Sequence, residues 1–245
     1  MRRILALISI LLIVLSAIPI YQMGREIITE QQITSQYDIT HSYFEQGFPT
    51  TIDTNNIDIN GTRIEIREEA TDKKASLTPW DEEEGVEAGD IVKIQFLVDG
   101  QPVSTADEIW LSNRNRGSRY FSWVDVLTVN EKIAIVQRLT DDDTLMDDRR
   151  WKIIWIDENG NTEEEHISYK TRSDNLLAVE VISSSGTELM QMGFYSDILK
   201  GYPSIIFPIF YPIITVLLGI LLGITSLMWW LLGRSKQYME NSKLK

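Results

Sequence analysis

The side chains able to do chemistry near neutral pH are few in kind in this chain of 245 residues. It has no cysteine, and its two histidines, His41 and His166, stand far apart. That excludes thiol nucleophiles, thiolate metal sites and a disulfide framework. It also excludes the sortase reaction, which needs a cysteine, and cupredoxin-type copper, which needs clustered imidazole and sulfur ligands. Carboxylates dominate instead, with 36 Asp and Glu against 23 Lys and Arg and a net charge of −13. So acidic a chain lacks the cationic footprint that nucleic acid requires.

Five carboxylates, Asp141, Asp142, Asp143, Asp147 and Asp148, fall within eight residues of an apparent turn. Calcium takes about six to eight oxygen ligands, so this turn is the candidate metal site and calcium the one candidate cofactor. Asp157-Glu-Asn-Gly-Asn161 opens like an EF-hand loop, but Thr162 stands where that loop needs glycine and Ser168 where it needs glutamate. The cations gather once, at Arg114, Arg116 and Arg119 beside Tyr120, Phe121 and Trp123, a candidate patch for an anionic ligand. Signal-peptidase chemistry has only a poor match at Ser76-Leu-Thr-Pro79, with no Lys or His motif after it. A glycosidase needs only two carboxylates, so hydrolysis of envelope glycans stands as an alternative activity.

The elements that must position these groups divide into three parts. Ile4 to Met23 and Ile205 to Leu232 carry no charge, and about 20 apolar residues suffice for a helix to cross a bilayer. Pro208 and Pro212 put the regular part of the second span at about residues 213–232. A cleaved signal peptide is the rival for the first span, but its apolar run continues past Ser16 and Ala17 without an A-x-A site. Arg2 and Arg3 precede the first span, and Arg234, Lys236, Lys243 and Lys245 follow the second with Glu240 as the one acid. These ends sum to +5 and leave −18 for the middle. The positive-inside rule therefore predicts cytoplasmic ends (residues 1–3 and 233–245) and an extracytoplasmic middle. Trp229 and Trp230 fall at the inner interface, and Tyr21, Tyr202 and Tyr211 at the outer one. Gly219 and Gly223 form a G-x-x-x-G pair that lets a second helix approach closely, either the first span or another copy.

Residues 24–48 repeat at Ile33, Tyr37, Thr40 and Phe44, roughly i, i+4, i+7 and i+11, which predicts a helical stalk ending at Gly47 and Pro49. From 50 to 195 the period changes to two. Alternating runs flank Asn60-Gly61, Asp99-Gly100 and Asn159-Gly160, the dipeptides that favour hairpin turns. Further strands are predicted at Glu108–Ser112, Tyr120–Val129, Lys132–Leu139, Leu176–Ile182 and Glu188–Phe194, with a loop over Ala70–Gly89 that carries Trp80. Nine or ten such strands predict a mainly β fold, an antiparallel β-sandwich of immunoglobulin-like or jelly-roll type between two transmembrane helices. The functional expectation is a non-enzymatic two-pass membrane protein that binds the lipid bilayer and a further membrane protein or itself. A calcium-dependent adhesion or sensor module is the alternative.

Overall fold

The computed structural model describes residues 2–42, 44–45, 48–49, 54–77, 82–111, 119–120, 122–141, 144–187, 192–200 and 207–243. In chain order they form α1 (Arg2–Gln36), β1 (Ile39–His41), β2 (Phe44–Glu45), β3 (Phe48–Pro49), β4 (Asn56–Ile59), β5 (Thr62–Lys74), β6 (Asp90–Val98), β7 (Gln101–Pro102), β8 (Asp107–Trp110), β9 (Val124–Val129), β10 (Lys132–Arg138), β11 (Arg150–Ile156), β12 (Thr162–Ser168), α2 (Leu176–Ser184) and α3 (Thr215–Lys243). Two units result, one of residues 1–29 with 195–245 and one of residues 30–194.

In the β-rich unit the turn residues set the register. Asn60-Gly61 and Asp99-Gly100 have positive φ at both positions, so Ile59 pairs with Thr62 and Val98 with Gln101 across two-residue turns. The turn around Asn159-Gly160 is longer. Ile156 pairs with Thr162, and the Asp157 carboxylate caps the loop by accepting from the amides of Asn159 and Asn161. The turn at Asn130-Glu131, with Asn130 at φ 53°, joins β9 to β10 without a glycine to announce it.

Each main sheet is five-stranded and antiparallel. One has the order β1-β9-β10-β11-β12; the other runs β4-β5-β6, with β7 and β8 both on the far edge of β6. One buried cluster draws on both. Ile57, Ile64, Ile94, Phe96 and Ile109 come from the second sheet, and Val124, Val126, Ile133, Ile135 and Ile154 from the first. Each such side chain contributes roughly 1.5–3 kcal/mol when fully buried. Sequential hairpins build most of both sheets, so the crossed strand order of an immunoglobulin or jelly-roll fold is not the pairing seen among the described strands.

Three expectations are corrected. Leu176–Ile182 is helix, not strand. Asn175 caps it by accepting from the Ala178 amide at 3.0 Å, and Ala178, Val179, Val181 and Ile182 are buried. A short apolar run does not reveal its period, and only the cap distinguished the two. α2 packs on β10, which explains why β9, β10 and β11 are buried almost continuously while β4 alternates. The strand β5 reaches Lys74, into the expected loop. Finally, the helix leaving the first span ends at Gln36, and from Ile39 the chain pairs with β9 instead of continuing as a stalk. Trp80 and residues 188–191 lie outside the described residues.

In the other unit α1 and the segment Ile209–Arg234 are each long and apolar enough to cross a membrane. The two helices are antiparallel. Ser16 Oγ meets Thr215 Oγ1 at 2.8 Å, and Ser9 Oγ donates to the Gly219 carbonyl at 2.8 Å. Outward faces bearing Leu7, Leu11, Val14, Leu217, Leu221 and Leu231 are exposed, an apolar extent that water does not tolerate on a soluble surface.

Candidate functional site: an acidic cleft in the β-rich unit

A cleft of about 520 Å³ lies on the α2 side of the first sheet. Strand alternation builds one wall. Trp155 on β11 lies opposite Glu163 on β12, with Glu165 one pleat further along. Glu131 and Lys132 enter from the β9–β10 turn, Glu158 from the β11–β12 turn, and Tyr37 from the segment after α1. The Asn130 side chain clips that segment in place, its Oδ1 accepting from the Asp38 amide at 2.8 Å.

The four carboxylates are not equivalent. Glu165 is held on both oxygens, accepting from Trp155 Nε1 at 3.0 Å and from Asn175 Nδ2 at 2.5 Å. Asn175 thus caps α2 and orients a cleft carboxylate together. Glu158 hydrogen-bonds to Glu131 and is repelled by its charge, so its carboxyl titrates above the usual glutamate range. Four carboxylates, one ammonium and two aromatic rings make a surface suited to an organic cation. Opposite charge attracts it, and an indole face stabilises it further.

The residues singled out in the sequence fall elsewhere. Asp147 and Asp148 lie on a single 3₁₀ turn (Met146–Asp148), where Asp148 pairs with Lys170 at 3.0 Å. Asp141 accepts from Thr144 Oγ1 at 2.6 Å. Asp142 and Asp143 lie outside the described residues. No group of three or more acidic or histidine side chains among the described residues is placed to hold a metal ion. Arg119 forks onto Glu68 through Nε at 2.7 Å and Nη2 at 2.5 Å. That bond lowers the Glu68 carboxyl below its usual range. Burial and the Glu68 hydrogen bond push the Tyr120 phenol up. Arg114 and Arg116 lie outside the described residues.

Sequence reasoning passed over the cleft itself, Lys152 and Asp125. Lys152 is fully buried among the isoleucines of β11. Its ammonium donates to the Thr105 carbonyl at 2.9 Å and to Asp107 at 2.5 Å, tying the two sheets together. Beside it, burial raises the Glu164 carboxyl, but Thr105, His166 and the Lys152 charge outweigh burial and hold it low. Asp125 is buried on β9, accepts from the Gly186 amide at 2.7 Å and lies 3.4 Å from His41 Nδ1. No sequence signal separates these charges from solvent-facing ones, because each is defined by a partner distant in the chain.

In the helical unit Gly219 and Gly223 face α1. A Cβ on Gly219 would lie 2.9 Å from Ile13 Cγ1 and 3.2 Å from the Ser9 carbonyl oxygen, and one on Gly223 would lie 2.8 Å from Ser9 Oγ. Tyr211, expected at the outer interface, donates its hydroxyl to the Leu15 carbonyl at 2.8 Å. Beyond the apolar run, buried Glu26 accepts from the amides of Tyr195 and Ser196, each at 2.8 Å, and Arg25 stacks on the Tyr195 ring. Comparison with known proteins adds no relative: no family model matches the chain, and no curated protein or solved structure matches it either.

Proposed function

We propose that this is a non-enzymatic accessory protein of a membrane or envelope complex. In this reading its β-sandwich domain is extracytoplasmic and engages a partner through a basic segment. The observation that carries the reading is the acidic cleft between Tyr37 and Trp155, whose carboxylates outnumber its one lysine. The basic flanks of the two spans support the orientation. Recognition here needs no group transfer; it needs a fixed acidic surface on a membrane anchor.

Titrating the purified full-length chain into a short fluorescently labelled arginine-rich peptide, read by the anisotropy of the label, tests the cleft. Glu131→Gln and Glu163→Gln should each weaken binding by about two- to fivefold at low salt, the scale of an exposed charge pair. Acid should weaken it as well. Glu158 keeps its proton to a higher pH than an ordinary glutamate, so the cleft begins to lose negative charge as pH falls into that raised range. Equal affinity for an uncharged peptide, or indifference to both substitutions, would sink the proposal.

A further inference from the structure

The helical unit contains a second concavity. A groove of about 720 Å³ runs between α1 and α3 at the end carrying both chain ends, lined by Arg3, Ala6, Ser9, Gly223, Ser226 and Trp230 among others. Its size falls within the range of about 300–1,000 Å³ typical of ligand clefts. Two properties of its lining differ along its length. The mouth is cationic: Arg3 lines it, and the guanidinium of Arg234 sits 4.2 Å over the ring of Trp230. The rest of the lining is mainly apolar, with small side chains on both helices and Ile10 and Leu227 beside them. It ends near the Ser9–Gly219 hydrogen bond, where the helices close on one another.

We propose that this groove seats an anionic phospholipid from the leaflet nearest the chain ends. The phosphate lies at Arg3 with Arg234 beside it, and an acyl chain fills the space left by Ala6, Ser9 and Gly223. Charge complementarity selects this occupant. A groove inside an apolar span excludes water-soluble anions by its interior, and a cationic mouth favours negative headgroups over zwitterionic ones. A third transmembrane helix would satisfy the small-residue floor but leave the two guanidiniums without an anion. The inference rests on the reading of α1 and α3 as membrane spans and is independent of the acidic cleft.

The test uses the full chain in nanodiscs of equal phosphatidylglycerol and phosphatidylcholine with matched acyl chains, followed by mild detergent exchange and mass-spectrometric counting of retained lipid. Phosphatidylglycerol should be retained at least about fivefold over phosphatidylcholine. Arg3→Gln should cut that ratio by about fivefold and Arg3→Gln with Arg234→Gln should abolish it, since each basic residue near an anionic surface contributes about that factor. Arg3→Lys should keep most of it. Ala6→Phe, which fills the groove, should remove both lipids, and helical circular dichroism checks that each variant is folded. Equal retention of the two lipids, or a preference that Arg3→Gln leaves unchanged or that survives the double substitution, would overturn the proposal. So would a stable dimer that Ala6→Phe breaks without changing lipid retention, because a second copy would then be the occupant. Carbonate extraction separates the failures. A chain released from membranes loses the spanning reading, whereas a chain retained without lipid preference loses only this inference.

Discussion

Lys152 shows how a single charge can be structural at one end and expendable at the other. Its side chain is fully buried, while that of its partner Asp107 is one-third exposed. Removing Asp107 leaves a buried ammonium hydrogen-bonded to Thr105 alone, with Glu164 as its remaining charged neighbour, whereas removing Lys152 leaves a carboxylate that reaches water. Asp107→Ala should therefore destabilise the chain by about 3 kcal/mol, the low end for stranding a buried charge. Lys152→Met, close in volume and apolar, should cost less than about 1.5 kcal/mol. Denaturant melts of both variants check this, and an Lys152→Met variant as unstable as Asp107→Ala would show that the ammonium's bonds outweigh its desolvation. Neither residue stands out in the sequence, where Lys152 falls between Trp151 and Ile153 at the outward position of an alternating run, like any solvent-facing lysine.

The helices and hairpins differ in how openly they declare themselves. Asn-Gly and Asp-Gly turns were legible because positive φ is a local property of those residue types, and Asn60-Gly61 and Asp99-Gly100 set registers as that chemistry requires. α2 was not legible, because its apolar run fits a strand until Asn175 is recognised as a cap. For α3 the sequence left open which partner Gly219 and Gly223 meet, and in this chain they meet α1. Gly219→Val should be the worst single change in the hairpin, since its first carbon already falls 2.9 Å from Ile13 and 3.2 Å from backbone. An overpacking cost of about 1–3 kcal/mol is expected. Gly223→Ala should cost less, because it adds one methyl group against a single hydroxyl, and moving that hydroxyl gives up only its bond to the Gly219 carbonyl. Thermal melts in detergent rank the two, and the reverse order would argue against this packing.

At the scale of the whole molecule, antiparallel spans bring both chain ends to one side of a membrane and return the chain to the other for the β-rich unit. The absence of cysteine makes this directly measurable. A lone cysteine at Ser76, an exposed position in the β-rich unit, should react with a membrane-impermeant maleimide on intact cells. One at Ser242 should react only after permeabilisation. The opposite pattern would reverse the orientation, and labelling of both in intact cells would remove the two-pass reading.

By itself the sequence determined the two uncharged spans, the acidic middle and the hairpin-rich β content. Each follows from a local or additive property: runs of apolar residues, summed charge, and the φ preference of turn dipeptides. Tertiary structure alone decided that Glu131, Glu158, Glu163 and Glu165 line one cleft with Trp155. It also decided that Lys152 is buried and that the glycines of the second span face the first. These depend on which strands and helices become neighbours. That choice is made by collective burial of the shared core, and no residue type or spacing encodes it in isolation.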